Sequence, residues 1–168
     1  SNLKNLKNKK IILDLNFSQD VIKKIINNNY KNNYICICAT SAHKVYKIKN
    51  LLKKINTIVL NKQESLSLTN KNSIKDSINY LIKKNKNLNV IITNGKNSTK
   101  SYIKGMNFIS YPPKTNIKNE NGAGDALIAV FNYFVSNSYD ILDSLNRGIC
   151  GGSLQASGYK DSNKNYLI

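Results

Sequence analysis

Carboxylates, arginine, histidine and cysteine are all scarce in this chain of 168 residues, and each shortage removes a class of protein. Nine Asp and Glu stand against 26 Lys and Arg, a net charge of +17. Such an excess points first to a polyanion, whether nucleic acid, an anionic membrane or a phosphorylated ligand. Only one of those basic residues is arginine, Arg147. Proteins that read nucleic-acid sequence favour arginine, because its planar fork grips base edges and phosphates bidentately and lysine does not replace it. With 29 Asn and 22 Ile beside 25 Lys, the charge reads as the imprint of an A/T-rich coding sequence, its lysines solvated and spread over the surface. A dedicated nucleic-acid role is therefore not expected. Three cysteines, an odd number without metal-site spacing, exclude a disulfide framework and a zinc site. One histidine, His43, cannot build a metal centre alone and reads as a surface or substrate-side residue. No apolar run reaches the length of a membrane span, and no secretory signal is visible. Cys36 and Cys38, two apart in "YICICA", share one face of a strand and read as small core residues in a reducing cytoplasm.

What is present is alternation. At this length a single domain, residues 1–168, can bury a core without staples. "KIILDL" (10–15), "YICICA" (34–39), "NTIVL" (56–60, ending at Asn61) and "NVIIT" (89–93) read as buried strands. Between them lie helical patterns. Ser18 caps one with Val21, Ile22, Ile25 and Ile26 on one side; Val45, Ile48, Leu51 and Leu52 form a second stripe; Ser73 caps a third with Ile74, Ile78, Leu81 and Ile82. Asn/Lys clusters at 27–33 and 83–88 are polar turns. From 99 to 115 the pattern shortens to a hairpin or edge strands stopped by Pro112 and Pro113. Helices from about Asn121 to Val135 and from Asp140 to about Ser157 finish the chain. The fold class that follows is α/β, a mostly parallel sheet flanked by helices. Ligands gather at the carboxyl ends of such strands, which here carry Asp14 to Asn16, Thr40 and Ser41, Asn61 to Glu64, and Thr93 to Ser98.

One stretch, "NENGAGDALIAVF" (119–131), breaks the compositional bias. A helix start leaves backbone N–H groups unpaired and partly positive, so it attracts an anion that can come close. Gly122 and Gly124 remove the side chains that would block that approach, and Ala123 is nearly as small. The apolar helix behind them would fix the turn in the core. Asp125 in the same place would repel a phosphate unless it has its own task, such as accepting the proton of an attacking hydroxyl. The alternative is a tight glycine turn followed by an aspartate that merely complements the helix dipole. No GxxxxGK[ST] loop is present, so phosphate chemistry here is not of the P-loop type.

"NGAGDA" (121–126) resembles the second signature of the ribokinase-like, or PfkB-type, carbohydrate and nucleoside kinases, and "NKQE" (61–64) resembles that family's Asn-x-x-Glu motif. Within the family, "SAHKVYKIKNLLKKINTIVLNKQES" (41–65), "KTNIKNENGAGDA" (114–126) and "IILDLNFSQDVI" (11–22) look like the pseudouridine kinases. The resemblance implies a ribokinase-like fold with Asp125 as catalytic base and an anion hole formed by the amides of Gly122, Ala123 and Gly124. It implies that Asn61 and Glu64 tune phosphate and magnesium, Glu64 acting on the metal through water, although a carboxylate there can equally be a surface charge or a helix cap. Thr93, Gly95 and Ser98 of "TNGKNS" fall in the family's nucleotide loop, where Ser98 replaces the usual second glycine. Lys44 and Lys47 lie near the nucleotide or are simply solvated. The "GICGGSLQASG" segment (148–158) packs against adenine or serves helix packing.

The implied cofactors are ATP, Mg2+ and a monovalent cation, and the implied partner is a small sugar or nucleoside, with no membrane. Kinases of this family are about twice as long. The chain begins "SNLKNLKNKK" without methionine and matches the carboxyl-terminal half, so the sugar-binding half and its lid, which usually makes the homodimer contacts, are expected to be absent from it. Three functions remain in view: a pseudouridine 5′-kinase, another PfkB-type sugar kinase such as a ribokinase or fructokinase, or a non-catalytic basic remnant that binds nucleotides or polyanions.

Overall fold

The computed structural model describes residues 6–158, which divide into two compact units meeting in sequence at Tyr111 and Pro112.

The first unit is a six-stranded sheet in the order β1-β2-β3-β4-β5-β6. Strands β1 (Lys10–Asp14), β2 (Tyr34–Cys38), β3 (Thr57–Asn61) and β4 (Asn89–Thr93) run parallel, while β5 (Thr99–Ile103) and β6 (Met106–Ser110) add an antiparallel hairpin. Its two-residue turn has Lys104 at φ 49° and Gly105 at φ 88°, the paired positive values whose twist matches that of the flanking strands. Because each parallel strand lies beside its predecessor, every right-handed crossover falls on the same side. Helices α1 (Gln19–Asn29), α2 (Lys62–Thr69) and α3 (Ile74–Lys84) arise there, and one buried cluster joins Leu13, Ile35, Ile37, Ile58, Leu60, Val90 and Ile92 of the strands to Ile22, Ile26, Leu68, Ile78 and Leu81 of the helices. Ser18 caps α1 through Val21 N–H, and Ser73 caps α3 through Asp76 N–H, as their positions predict.

Two departures from the sequence reading are instructive. Val45, Ile48, Leu51 and Leu52 are all buried, but they ride on two 3-10 turns, Val45–Ile48 and Leu52–Lys54, and not on an α-helix. Leu51 N–H donates to Ile48 C=O and Lys54 N–H to Leu51 C=O, both 2.8 Å. Spacings of three (45, 48, 51) are the 3-10 period itself, and the fourth apolar residue at 52 disguised it. Helix α2 was not among the elements read from the sequence, where a helix cap stood only as an alternative for Glu64. Its buried residues are Glu64, Ser65, Leu68 and Thr69, so the face it packs is mostly polar and leaves no hydrophobic stripe to read. Its polar groups are satisfied locally: Ser65 Oγ donates to Lys62 C=O, and Thr69 Oγ1 to Ser65 C=O.

On the opposite face of the sheet, the register lines up Asp14, Cys38, Val59, Ile91, Ser101 and Phe108 across all six strands. Cys36 and Cys38 are buried thiols outside any disulfide, with sulfurs 4.0 Å apart. The neighbouring Cys38 thiol and burial both hold the Cys36 thiol protonated, so it is an inert core group.

The second unit is an antiparallel helix pair, α4 (Ala123–Ser136) and α5 (Ile141–Ala156), preceded by an extended segment. Asp140 caps α5 through Leu142 N–H. The one arginine is structural here: Arg147 pairs with Asp143 at 3.0 Å and stacks over the rings of Phe134 (4.6 Å) and Tyr139 (5.3 Å), bracing the end where the helices join. Among the described residues no helix is long and apolar enough to cross a membrane.

Candidate functional site

In the second unit the glycine turn has the geometry of an open helix start. Gly122 is the N-cap of α4 at φ 78°, a left-handed conformation that L side chains rarely adopt, and it has no side chain with which to cap. Ala123 N–H reaches back to Glu120 C=O at 3.2 Å, and the first helical bond runs from Ala126 N–H to Gly122 C=O at 2.9 Å. The N–H groups of Gly124 and Asp125, between these two, meet no acceptor among the described residues. A Cβ added at Gly124 would touch nothing within 4 Å, so no packing demand makes that residue small. Glycine keeps the space over the two free amides clear, and the Asp125 carboxylate stands exposed in the same first turn.

Helix α5 fixes this turn from behind. A Cβ at Gly152 would lie 2.8 Å from the carbonyl oxygen of Ala123, and one at Gly148 would lie 2.8 Å from that of Leu127. These glycines let α5 lie against the backbone of α4, so the helix-packing account of "GICGGS" is the one realised between them. Beyond α5, Ala156 C=O accepts from both Lys118 N–H (2.9 Å) and Asn119 N–H (3.1 Å), while Asn119 Oδ1 accepts from Asn121 N–H (2.9 Å). The approach to the turn is thereby tied down at its start. Sequence reasoning missed Gln155, whose side chain comes within 3.5 Å of where a Gly122 Cβ would be, and the anchoring role of Ala156. A backbone carbonyl leaves no signature in a sequence.

In the first unit, Asn61 and Thr93 are register partners at the carboxyl ends of β3 and β4, and Thr93 leads into the loop carrying Gly95 and Ser98. Gly95 takes φ 56° in a turn closed by Asn97 N–H to Asn94 C=O at 3.0 Å. Asn61 and Glu64 form a reciprocal capping box: Asn61 Oδ1 accepts from Glu64 N–H (2.9 Å), and Glu64 Oε2 accepts from Asn61 N–H (2.7 Å). The helix-cap alternative for Glu64 is therefore present in the structure. Burial raises the Glu64 carboxyl above its ordinary range, and the hydrogen bond from Asn61 N–H partly offsets this. Its second oxygen makes no hydrogen bond among the described residues. At the end of β1, Asp14 accepts from both nitrogens of Asn16, Lys44 Nζ donates to Asn16 Oδ1 (2.6 Å), and Lys47 Nζ donates to Leu15 C=O (2.9 Å) and Phe17 C=O (2.7 Å). Neither lysine is simply solvated. His43 is exposed, its N–H on Ser41 Oγ at 3.3 Å.

The box makes a clean prediction, because glutamine caps as glutamate does. Glu64→Gln is expected to be at least as stable as the parent at neutral pH. A carboxyl whose folded-state pKa is raised contributes stability below the ordinary carboxylate range and loses it as pH rises through the raised value. The two proteins should thus converge near pH 4 in thermal unfolding, with the parent falling behind as pH rises. Glu64→Ala, which deletes the cap, should lose about 1 kcal/mol.

Mostly parallel strands with crossover helices, followed by a glycine-opened helix, define an α/β fold of the ribokinase-like class. The chain belongs to the pfkB family of carbohydrate kinases, whose family profile it matches over residues 3–165. Among solved structures, it resembles a fructokinase from Vibrio cholerae bound to fructose, ADP and calcium (TM-score 0.77, 16% identity, covering 92% of this chain and 56% of that one). It also resembles an aminoimidazole riboside kinase from Salmonella enterica complexed with aminoimidazole riboside and an ATP analogue (0.76, 13%, 90% and 57%). A carbohydrate kinase from Agrobacterium tumefaciens is similar as well (0.70, 23%, 85% and 46%). At such identities the likeness is one of fold, and the chain spans about half the length of these structures. No curated protein sequence matches it significantly.

Proposed function

We propose that the chain is the nucleotide-binding and catalytic half of an ATP-dependent kinase that phosphorylates the 5′-hydroxyl of pseudouridine. The observation that carries this reading is the α4 start: two free amides under open space, with an exposed carboxylate beside them. The bond between the γ-phosphorus and its bridging oxygen to the β-phosphate breaks, and the acceptor oxygen bonds to that phosphorus. Asp125 takes the hydroxyl proton, and ADP leaves. The free amides of Gly124 and Asp125 stabilise the charge on the transferring group, while Gly122 and Ala123, whose own N–H is held by Glu120 C=O, form the turn that exposes them. Thr93, Gly95, Ser98 and Asn61 border the nucleotide.

Among the described residues no three His, Cys, Asp or Glu gather into a cage for a metal. Mg2+ fits such a site nonetheless, since it keeps several waters and is held by one or two carboxylates plus substrate phosphates. Glu64, with one oxygen committed to its cap and the other without a partner, suits a water-mediated contact. When bound, the ion would neutralise phosphate charge. Glu64→Gln should raise the Mg2+ concentration needed for half-maximal activity by about tenfold or more, with folding intact. Among the described residues none is assigned to a monovalent cation. A cytoplasmic setting supplies ATP and keeps Cys36 and Cys38 reduced.

The pseudouridine assignment rests on the three similar segments, and fructose and aminoimidazole riboside, the acceptors in the titles of the similar structures, mark the second reading. Competition settles the choice. The natural polypeptide containing this chain, given Mg–ATP and equimolar pseudouridine, ribose, fructose and adenosine, should phosphorylate pseudouridine first. Preference for ribose or fructose would move it elsewhere in the family, and no transfer to any acceptor, with ATP bound, would leave the non-catalytic reading.

A further inference from the structure

The sheet unit confines its carboxylates to one end. Its carboxylates are Asp14, the last residue of β1, and Asp20, Glu64 and Asp76, each in the first turn of a helix. None falls in the turns at the amino ends of the strands, residues 6–9, 30–33, 53–56, 85–88 and 104–105. Those turns, with the helix and 3-10 ends that feed them, carry the exposed lysines Lys9, Lys31, Lys53, Lys83 and Lys86. Lysines occur on every side of this unit; the carboxylates are what is missing from this one.

Asparagine amides knit the same turns into a continuous surface. Lys9 N–H donates to Asn33 Oδ1 (2.9 Å), whose Nδ2 donates to Leu6 C=O (2.7 Å). Ile35 N–H donates to Asn56 Oδ1 (2.7 Å), Asn85 Nδ2 to Leu52 and Ile55 C=O (2.9 and 3.0 Å), and Lys104 N–H to Asn89 Oδ1 (3.0 Å). Lys54, which donates to Asn27 Oδ1 at 2.7 Å and lies 4.8 Å from the Tyr30 ring centre, is held between two of the turns. Complementing helix dipoles accounts for Lys53 and Lys83. It does not account for Lys9, which precedes β1; Lys31 and Lys86 follow directly on the C-caps Tyr30 and Asn85 of α1 and α3.

From these observations we infer that the amino-end face of the sheet binds the phosphate backbone of a nucleic acid without reading its sequence. The face follows the strand order from β1 to the β5–β6 turn, about 20 Å at one strand spacing per step, which spans several phosphates of a polynucleotide. Lysine supplies point charge to phosphates without the bidentate base readout of arginine. An anionic membrane is the poorer match. Surface-bound membrane proteins add apolar side chains to charge, and the one exposed large apolar residue at these turns is Met106.

The test is fluorescence anisotropy of a labelled oligouridylate of about 20 nucleotides with the natural polypeptide, across about 50–300 mM salt. Neutralising about four phosphates predicts a slope of about −3 in log K against log salt. The triple variant Lys31→Gln, Lys53→Gln, Lys86→Gln should bind about tenfold or more weakly with a shallower slope. Lys23→Gln, Lys71→Gln, Lys75→Gln removes the same charge from other parts of this unit and should stay within about twofold of the parent. Thermal unfolding of both variants confirms that each is folded. Equal losses in the two variants would reduce the effect to net charge and overturn the proposal. So would an absence of binding at the lowest salt, or stronger binding to phosphatidylserine vesicles than to the oligonucleotide.

Discussion

Asp125→Asn is expected to lower kcat for phosphoryl transfer by about 10²–10⁴-fold, the range a positioned general base contributes, while changing KM for ATP by less than about threefold. The substitution keeps the size and position of an exposed first-turn residue, so unfolding should not explain the loss. Asparagine cannot take a proton from the acceptor, and it also removes a negative charge from a helix start. That second effect separates the two readings of the residue. If Asp125 only complements the helix dipole, asparagine costs some stability and leaves transfer untouched. If it is the base, transfer collapses while nucleotide binding holds or tightens, because a charge facing the phosphates has gone. Steady-state kinetics beside ATP titration distinguish the two.

The second large effect contrasts two glycines that look alike in sequence. Gly152→Ala should destabilise the protein by about 1–2 kcal/mol: the new methyl meets the Ala123 carbonyl at 2.8 Å, and the overpacking cost exceeds the gain in helix propensity. Gly124→Ala meets nothing within 4 Å and should be neutral or stabilising by up to about 0.8 kcal/mol. Its penalty should fall on catalysis, about tenfold or more in kcat/KM, because the methyl enters the space over the free amides. Denaturant unfolding and kinetics on the pair should give opposite patterns. A stability loss at Gly124 with catalysis unharmed would mean that the turn is small for packing alone.

Much of the sheet was legible because buried parallel strands are continuous apolar runs, and "NVIIT" coincides with β4 to the residue. The hairpin was legible from short alternating pieces stopped by two prolines. What escaped were elements whose reasons are local and polar. Helix α2 is announced only by Asn61 and Glu64, for which a helix cap stood as one alternative beside the role that the family likeness suggests, and no apolar stripe marked the helix behind the cap. The 3-10 turns at 45–54 share their apolar spacing with an α-helix.

At the candidate site, a helix start opened by small residues was legible in "NGAGDA", while the positive φ of Gly122 and the exposure of Asp125 were not. The bracing by Gly148 and Gly152 was visible only as an alternative, since glycine gives no sign of which backbone it approaches. The absence of carboxylates from one end of the sheet unit was invisible in principle. Composition counts lysines and carboxylates, but only the topology says which end of the sheet each one reaches.

The proposed reaction requires the amides at the start of α4 to hold phosphate. Amide NMR of the 15N-labelled chain, titrated with ATP and Mg2+, tests it most directly, because it needs no acceptor and no turnover. Saturable shifts should be largest at Gly124 and Asp125 and should be lost when Gly124 is replaced by alanine. Shifts that leave both amides unmoved while the nucleotide binds elsewhere would contradict that requirement.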